Sequence, residues 1–184
     1  MKEFIKIVLP HLSKFYNVQI GYGDKKNIQE SVLNSFGLEN LKSLRDKFEG
    51  VLFLDRFTNK VLGVIGIRKY LKLEPIDWNS INPRGYEPNI TFENKTINII
   101  TVKYGEFPVI KRVNDEPAII IINREDKDAL ICGFASIKLL NSRNSIAKLK
   151  NTATKNLETN VNFLAFGNLK QFKNQEELRT ILNE

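Results

Sequence analysis

The hydrophobic positions of this chain change period twice. From Lys2 to Tyr16, Phe4, Val8, Leu12 and Phe15 recur at helical spacing, interrupted by Pro10, which cannot donate a hydrogen bond inside a helix. The pattern predicts either a kinked helix or a short strand leading into a helix at Pro10. Next, Ile28, Val32, Leu33 and Phe36 share one face of IQESVLNSF. Asn27 with Glu30 three residues on reads as a capping box opening that helix, and Gly37 ends it. Leu38, Leu41, Leu44 and Phe48 mark a third short helix, up to Gly50.

At Gly50 the helical period gives way to alternation or continuous apolarity. GVLFLDRF and KVLGVIGIRKYL, joined at Thr58 and Asn59, read as a β-hairpin. KLEPIDWNSINPRGYEP, with Pro75, Pro83 and Pro88, reads as a long loop, a length uncommon unless functional or ordered by a partner. NITF and TINIITVKY make a second hairpin around Glu93, Asn94 and Lys95. FPVIKRV is a further strand, and PAIIIIN with DALICGFA forms a third hairpin. The run Ile119 to Ile122 is too apolar for a half-exposed strand and belongs in the middle of a sheet covered on both faces. After Ala135 come two short helices broken at Asn141 to Asn144, a late strand NVNFLAF, and a helix from Gln175 to Leu182 facing inward through Leu178, Ile181 and Leu182. The expected fold is therefore a single α/β domain with a central mixed sheet built from hairpins. Residues 1–49 supply its helical N-terminal part, 50–135 the sheet core, and 136–184 a basic helical C-terminal part.

A length of 184 residues suits one domain. No apolar run approaches the roughly 20 residues that cross a bilayer, so no membrane is expected. The amino end, broken by Lys6, Pro10 and His11, lacks a small-residue cleavage site, so no signal peptide and a cytoplasmic location are expected. Cys132, the one cysteine, sits in the apolar LICGFA and reads as a buried small hydrophobe. The net charge of +7 is unevenly spread: residues 88–135 carry six basic and seven acidic groups, whereas 136–184 carry eight and four. From Ala129 to Leu157 no acid occurs, yet Lys138, Arg143, Lys148, Lys150 and Lys155 do. Such an excess suits a polyanionic partner and also a solvated face.

Several chemistries are excluded by what is missing. His11 is the only histidine, so a Ser-His-Asp triad would hang on one N-terminal residue, and one histidine with one cysteine cannot build a zinc site. The glycines of GYG and GVIG fit neither the phosphate loop nor the dinucleotide fingerprint. Carboxylate and lysine chemistry remains, or no catalysis.

A glutamate-bearing helix, hairpins, an apolar strand and the CGFAS turn into a helix together resemble the restriction-endonuclease-like superfamily. Its motif is Asp on one strand and Glu-x-Lys on the next. The positional match is Pro88-Asn89 followed by Thr101-Val102-Lys103, with Asn89 and Thr101 at the acidic positions and only Lys103 retained. A literal match, Asp115 with Glu125-Asp126-Lys127, is rejected because a whole strand, roughly 20 Å, separates its halves. The resemblance implies a divergent magnesium-dependent endonuclease with Asp55 and Glu30 as substitute metal ligands and Lys103 beside the nucleophile. Each acid also has a structural reading, Glu30 as capping-box residue and Asp55 as the end of a hairpin strand.

Binding alone requires less. Arg68, Lys69, Arg84, Lys111 and Arg112, with Lys148 and Lys150, are candidates to track phosphates. Tyr70, Trp78, Tyr86 and Tyr104 lie near these bases, and either stack on exposed nucleotides or cap the sheet. The expected partner is nucleic acid, DNA before RNA, with a second copy or a partner protein as a further candidate. The alternative is a catalytically inactive accessory or protein-interaction module with a basic surface.

Overall fold

A computed structural model describes residues 2–47, 49–125, 127–148 and 160–184. Helix α1 (Lys2–Ile7) gives way to a 3₁₀ turn at Leu9–Lys14, with Pro10 in the first turn where its missing N–H costs nothing. Strand β1 (Tyr16–Gln19) follows, then helix α2 (Tyr22–Phe36). This helix starts five residues before the expected capping box. The Gly21 N–H donates to Asp24 Oδ2 at 3.0 Å, leaving Glu30 in mid-helix without a capping role. Helix α3 (Leu41–Arg45) is capped by Asn40, whose Oδ1 accepts from the Ser43 N–H at 3.0 Å.

Residues 50–70, expected as a hairpin within the sheet core, form one continuous helix, α4 (Gly50–Tyr70). Every residue from Val61 to Ile67 is buried. A helix covered on all sides has no polar stripe, so its sequence reads like a buried strand. Thr58 and Asn59, expected as the turn, lie inside α4, and Asn59 is satisfied there by a side-chain bond to the sheet.

The remaining elements follow expectation more closely. Strands β2 (Asn89–Phe92) and β3 (Lys95–Lys103) form an antiparallel hairpin. After β4 (Val109–Lys111), β5 (Ala118–Arg124) and β6 (Asp128–Ala135) form another hairpin, with a register shift between Ile120 and Ile121. Helix α5 (Ile137–Leu140), capped by Ser136, leads to β7 (Ile146–Lys148), a strand where the second of the two short helices was expected, because it pairs with β8. Strand β8 (Asn160–Phe163) and helix α6 (Gln175–Leu182), which buries Leu178, complete the chain.

Five strands form the main sheet in the order β1-β6-β5-β3-β2, all antiparallel except the β3–β5 pair. Strand β5 is central and buried on both faces, as its isoleucine run requires. On one face Ile99, Ile119, Ile121 and Ile131 meet α4; on the other Ile120, Ile122 and Cys132 meet Phe4, Val8 and a small sheet of order β4-β8-β7. The helices and mixed sheet thus build one α/β domain.

Close approach of α4 to the sheet depends on two glycines. A Cβ at Gly63 would lie 1.8 Å from Thr101 Oγ1 and 3.1 Å from Ile99 Cγ2, and one at Gly66 would lie 2.5 Å from Ala129 Cβ. The Thr101 hydroxyl is wedged into this contact, buried and without a hydrogen-bond partner among the described residues.

Gly63→Ala is therefore expected to cost about 2–4 kcal/mol in urea unfolding. Thr101→Ala, which deletes an unsatisfied hydroxyl, should be neutral or stabilise by up to about 1 kcal/mol and should reduce the cost of Gly63→Ala when the two are combined. Cys132 is fully buried, and burial raises its thiol pKa well above the usual value. It should resist a thiol reagent at mildly alkaline pH and react fully once the chain is unfolded; rapid native labelling would contradict this packing.

Candidate functional site

The amino-terminal half of α4 projects beyond the tightly packed crossing and walls a groove. The end of α2 contributes Phe36, the loop before β2 contributes Arg84 and Tyr86, and β3 contributes Thr101; the cavity measures about 530 Å³. Along α4, Phe53 and Phe57 are four residues apart, as are Arg56 and Lys60, so aromatic and cationic positions recur one turn apart.

The aromatic wall is continuous. Phe36 meets Phe53 edge-on at 5.1 Å, Phe53 lies nearly parallel to Phe57 at 6.4 Å, and Phe57 meets Tyr86 edge-on at 5.4 Å. The Arg84 guanidinium sits 5.0 Å from the centroid of Phe36, a cation–π contact that holds it at the mouth. Lys60 Nζ donates to the Tyr86 carbonyl at 3.5 Å, and Arg56 lies 3.8 Å from Glu49, the one acid lining the groove. Burial pushes the Tyr86 phenol up to about 12, partly opposed by the positive charge of Arg68, so the ring stays neutral at physiological pH.

At the floor, a polar seam crosses from helix to sheet. Asn59 Nδ2 donates to the Thr101 carbonyl at 2.9 Å, and Asn123 Nδ2 donates to Asn59 Oδ1 at 3.2 Å. Lys103 pairs with Asn123 in the register of β3 and β5, so the seam lies at the carboxyl ends of the parallel strands, where open α/β sheets commonly bind ligands. There Lys103 Nζ donates to Asp55 Oδ1 at 2.5 Å.

Two of the three residues assigned to catalysis, Asp55 and Lys103, therefore converge, Asp55 from a helix instead of a strand. Glu30 does not join them. It is an exposed residue paired with Lys26 at 3.5 Å, while the side of α2 that shares a cavity with Asp55 carries Lys25, Ile28 and Gln29. Asn89 opens β2 opposite Asn98, three residues or about 10 Å along β3 from Thr101, so the two motif positions do not adjoin. Among the described residues no group of three or more His, Cys, Asp or Glu comes together. Asp55, already paired with Lys103 and outside any such cluster, does not fit magnesium, whose protein ligands are oxygens in near-octahedral geometry.

The basic candidates scatter. Arg84 lies in the groove, whereas Arg68 and Lys69 line a separate cavity near the carboxyl end of α4. Lys111 shares a cavity with Glu87, Asp115 and Glu116, an environment that disfavours phosphate, and Arg112 follows it out of β4. Lys148 places only its backbone, in β7 opposite Val161, and Lys150 falls outside the described residues. Of the aromatics, Tyr86 lines the groove. Tyr70 donates to the Phe172 carbonyl at 2.7 Å and packs on Tyr16, and Tyr104 meets Phe4 edge-on at 5.1 Å. Phe53, Arg56 and Lys60 share the groove's wall only because 50–70 is a helix, which the hairpin reading concealed, and Phe36 read only as part of the apolar face of α2.

Compared with protein-family models, curated proteins and solved structures, the chain shows no significant match. The chemistry of the groove is read from its own geometry.

Lys103 and Asp55 are about half exposed, at 45% and 49%. Lys103→Ala should therefore cost less than about 1 kcal/mol in urea unfolding; a loss above about 2 kcal/mol would make the pair a structural anchor.

Proposed function

We propose that the protein binds nucleic acid with unpaired bases through the α4 groove, without metal-dependent cleavage. The observation that carries this reading is the lining itself: Arg56, Lys60 and Arg84 stand around the partly exposed rings of Phe36, Phe53 and Tyr86, backed by buried Phe57, with Glu49 the only opposing charge among the described lining residues. Cations follow a phosphate backbone, and aromatic faces stack on bases of any sequence. Duplex DNA hides its base faces, so the aromatic wall favours single strands, loops or ends. Among the described residues no cluster of three metal-ligating side chains gathers, which weighs against the endonuclease reading.

Fluorescence anisotropy with labelled single-stranded DNA and RNA oligonucleotides, between about 50 and 200 mM salt, tests the reading. Binding should weaken steeply with salt. Lys60→Ala combined with Arg84→Ala should lower affinity about tenfold or more and flatten the salt slope, because phosphate contacts are lost. Tyr86→Ala should lower affinity about tenfold while leaving the slope unchanged, because stacking releases no counterions. With magnesium or manganese the oligonucleotides should remain intact. Affinity indifferent to all three substitutions would remove the groove from the interface, and metal-dependent cleavage lost in Lys103→Ala would restore the nuclease.

A further inference from the structure

A second cavity, of about 250 Å³, lies near the carboxyl end of α4 and lacks a role in the groove just described. Ile65, Leu73, Ile76 and Trp78 give it an apolar wall, and Arg68, Lys69 and Lys72 bring positive charge to it against the lone carboxylate of Asp24. That carboxylate is already engaged, accepting from Lys69 Nζ at 2.5 Å and from the Gly21 N–H at 3.0 Å. The positive charge of Arg68 and Lys72 is thus left uncompensated by any acid lining the cavity.

Two features of these residues point to an anionic ligand. Arg68 donates through one terminal nitrogen to the Glu74 carbonyl at 2.6 Å, but its Nε is buried and meets no acceptor among the described residues. The guanidinium is thus fixed at the cavity by a carbonyl instead of a carboxylate, which leaves its charge for an anion in the cavity. Lys72 occupies a left-handed conformation, φ 54°, at the helix end. The Leu73 N–H bonds the Arg68 carbonyl at 2.9 Å and the Lys72 N–H bonds the Lys69 carbonyl at 3.2 Å, a Schellman arrangement. Glycine holds that position with least strain, yet here a lysine does, and its side chain lines the cavity.

We infer that this cavity binds a small anion, a carboxylate or a phosphate monoester on a body of about one ring, with the apolar part against Trp78 and the anionic head at Arg68 and Lys72. The volume falls just below the lower end of pockets that hold drug-sized ligands, about 300 Å³, which sets the size of the body. The ring-sized body contributes burial, and the two cations select the charged head.

Trp78 is the only tryptophan in the chain, so its fluorescence reports this cavity alone. Titration of the full chain with benzoate, phenyl phosphate, benzyl alcohol and inorganic phosphate separates the contributions of body and head. Saturable quenching by benzoate or phenyl phosphate, at least about tenfold tighter than by the alcohol or by phosphate alone, is expected, the tighter of the two naming the head group. Lys72→Gly should weaken that binding about tenfold while raising the melting temperature by about 2–4 °C, because it relieves the backbone. A merely structural lysine would give the thermal gain without the loss of binding. Absence of saturable quenching by either anion, equal binding of the neutral alcohol, or binding unchanged in both Lys72→Gly and Arg68→Ala would overturn the inference. Oligonucleotide binding through the groove is read separately by anisotropy, so either result stands without the other.

Discussion

The crossing of α4 over β3 is the contact on which the rest of the molecule depends. With no side chain at Gly63, the helix backbone comes close enough for Thr101 Oγ1 to occupy the space a Cβ would need. That proximity buries residues 61–67 completely, in the middle of the larger of two apolar clusters. It also fixes both ends of a 21-residue helix, about 30 Å long. The amino half stands over the carboxyl ends of β3 and β5 and makes the groove; the carboxyl end turns through Lys72 and makes the second cavity. An unsatisfied hydroxyl is tolerated at the crossing because helix–sheet packing outweighs the loss of its hydrogen bond.

Much of the sheet was legible in the sequence. NITF–TINIITVKY and PAIIIIN–DALICGFA pair as hairpins, and the isoleucine run of β5 lies where continuous apolarity requires, covered on both faces. The segment 50–70 was not legible, for a definite reason: a helix buried all round presents no 3.6-residue stripe, and GVIG between β-branched residues mimics a strand. Thr58 and Asn59 strengthened the error, since a polar pair between apolar runs resembles a turn. Nothing local reveals that the Asn59 amide finds its partners on β3 and β5, about forty and sixty residues away.

The site shows the same division. Lys103 with Asp55, and Arg84 with Tyr86, were singled out from residue type and position, and the fold brings each pair to one place. Glu30 was assigned a cap that belongs to Asp24, and its side chain turns to Lys26. Of the cations assigned to phosphate, Arg84, Arg68 with Lys69, and Lys111 divide among separate cavities, because charge counted along a chain says little about where a fold displays it; the end of the acid-poor stretch after Ala129, Lys150 included, lies outside the described residues. What remains at the groove is a short row of cations beside a continuous aromatic wall. The proposed strand binding rests on that combination, and Asp55, which lines a different cavity, is tied to Lys103.

Photocrosslinking tests this assignment most directly. An oligonucleotide carrying photoreactive bases is bound to the full chain, irradiated, and the adducts are mapped by mass spectrometry. The groove predicts adducts on the peptides holding Phe36, Phe53 and Tyr86, lost on competition with unlabelled strand. Adducts confined to the basic stretch between Lys138 and Lys155, with the groove peptides unmodified, would contradict it.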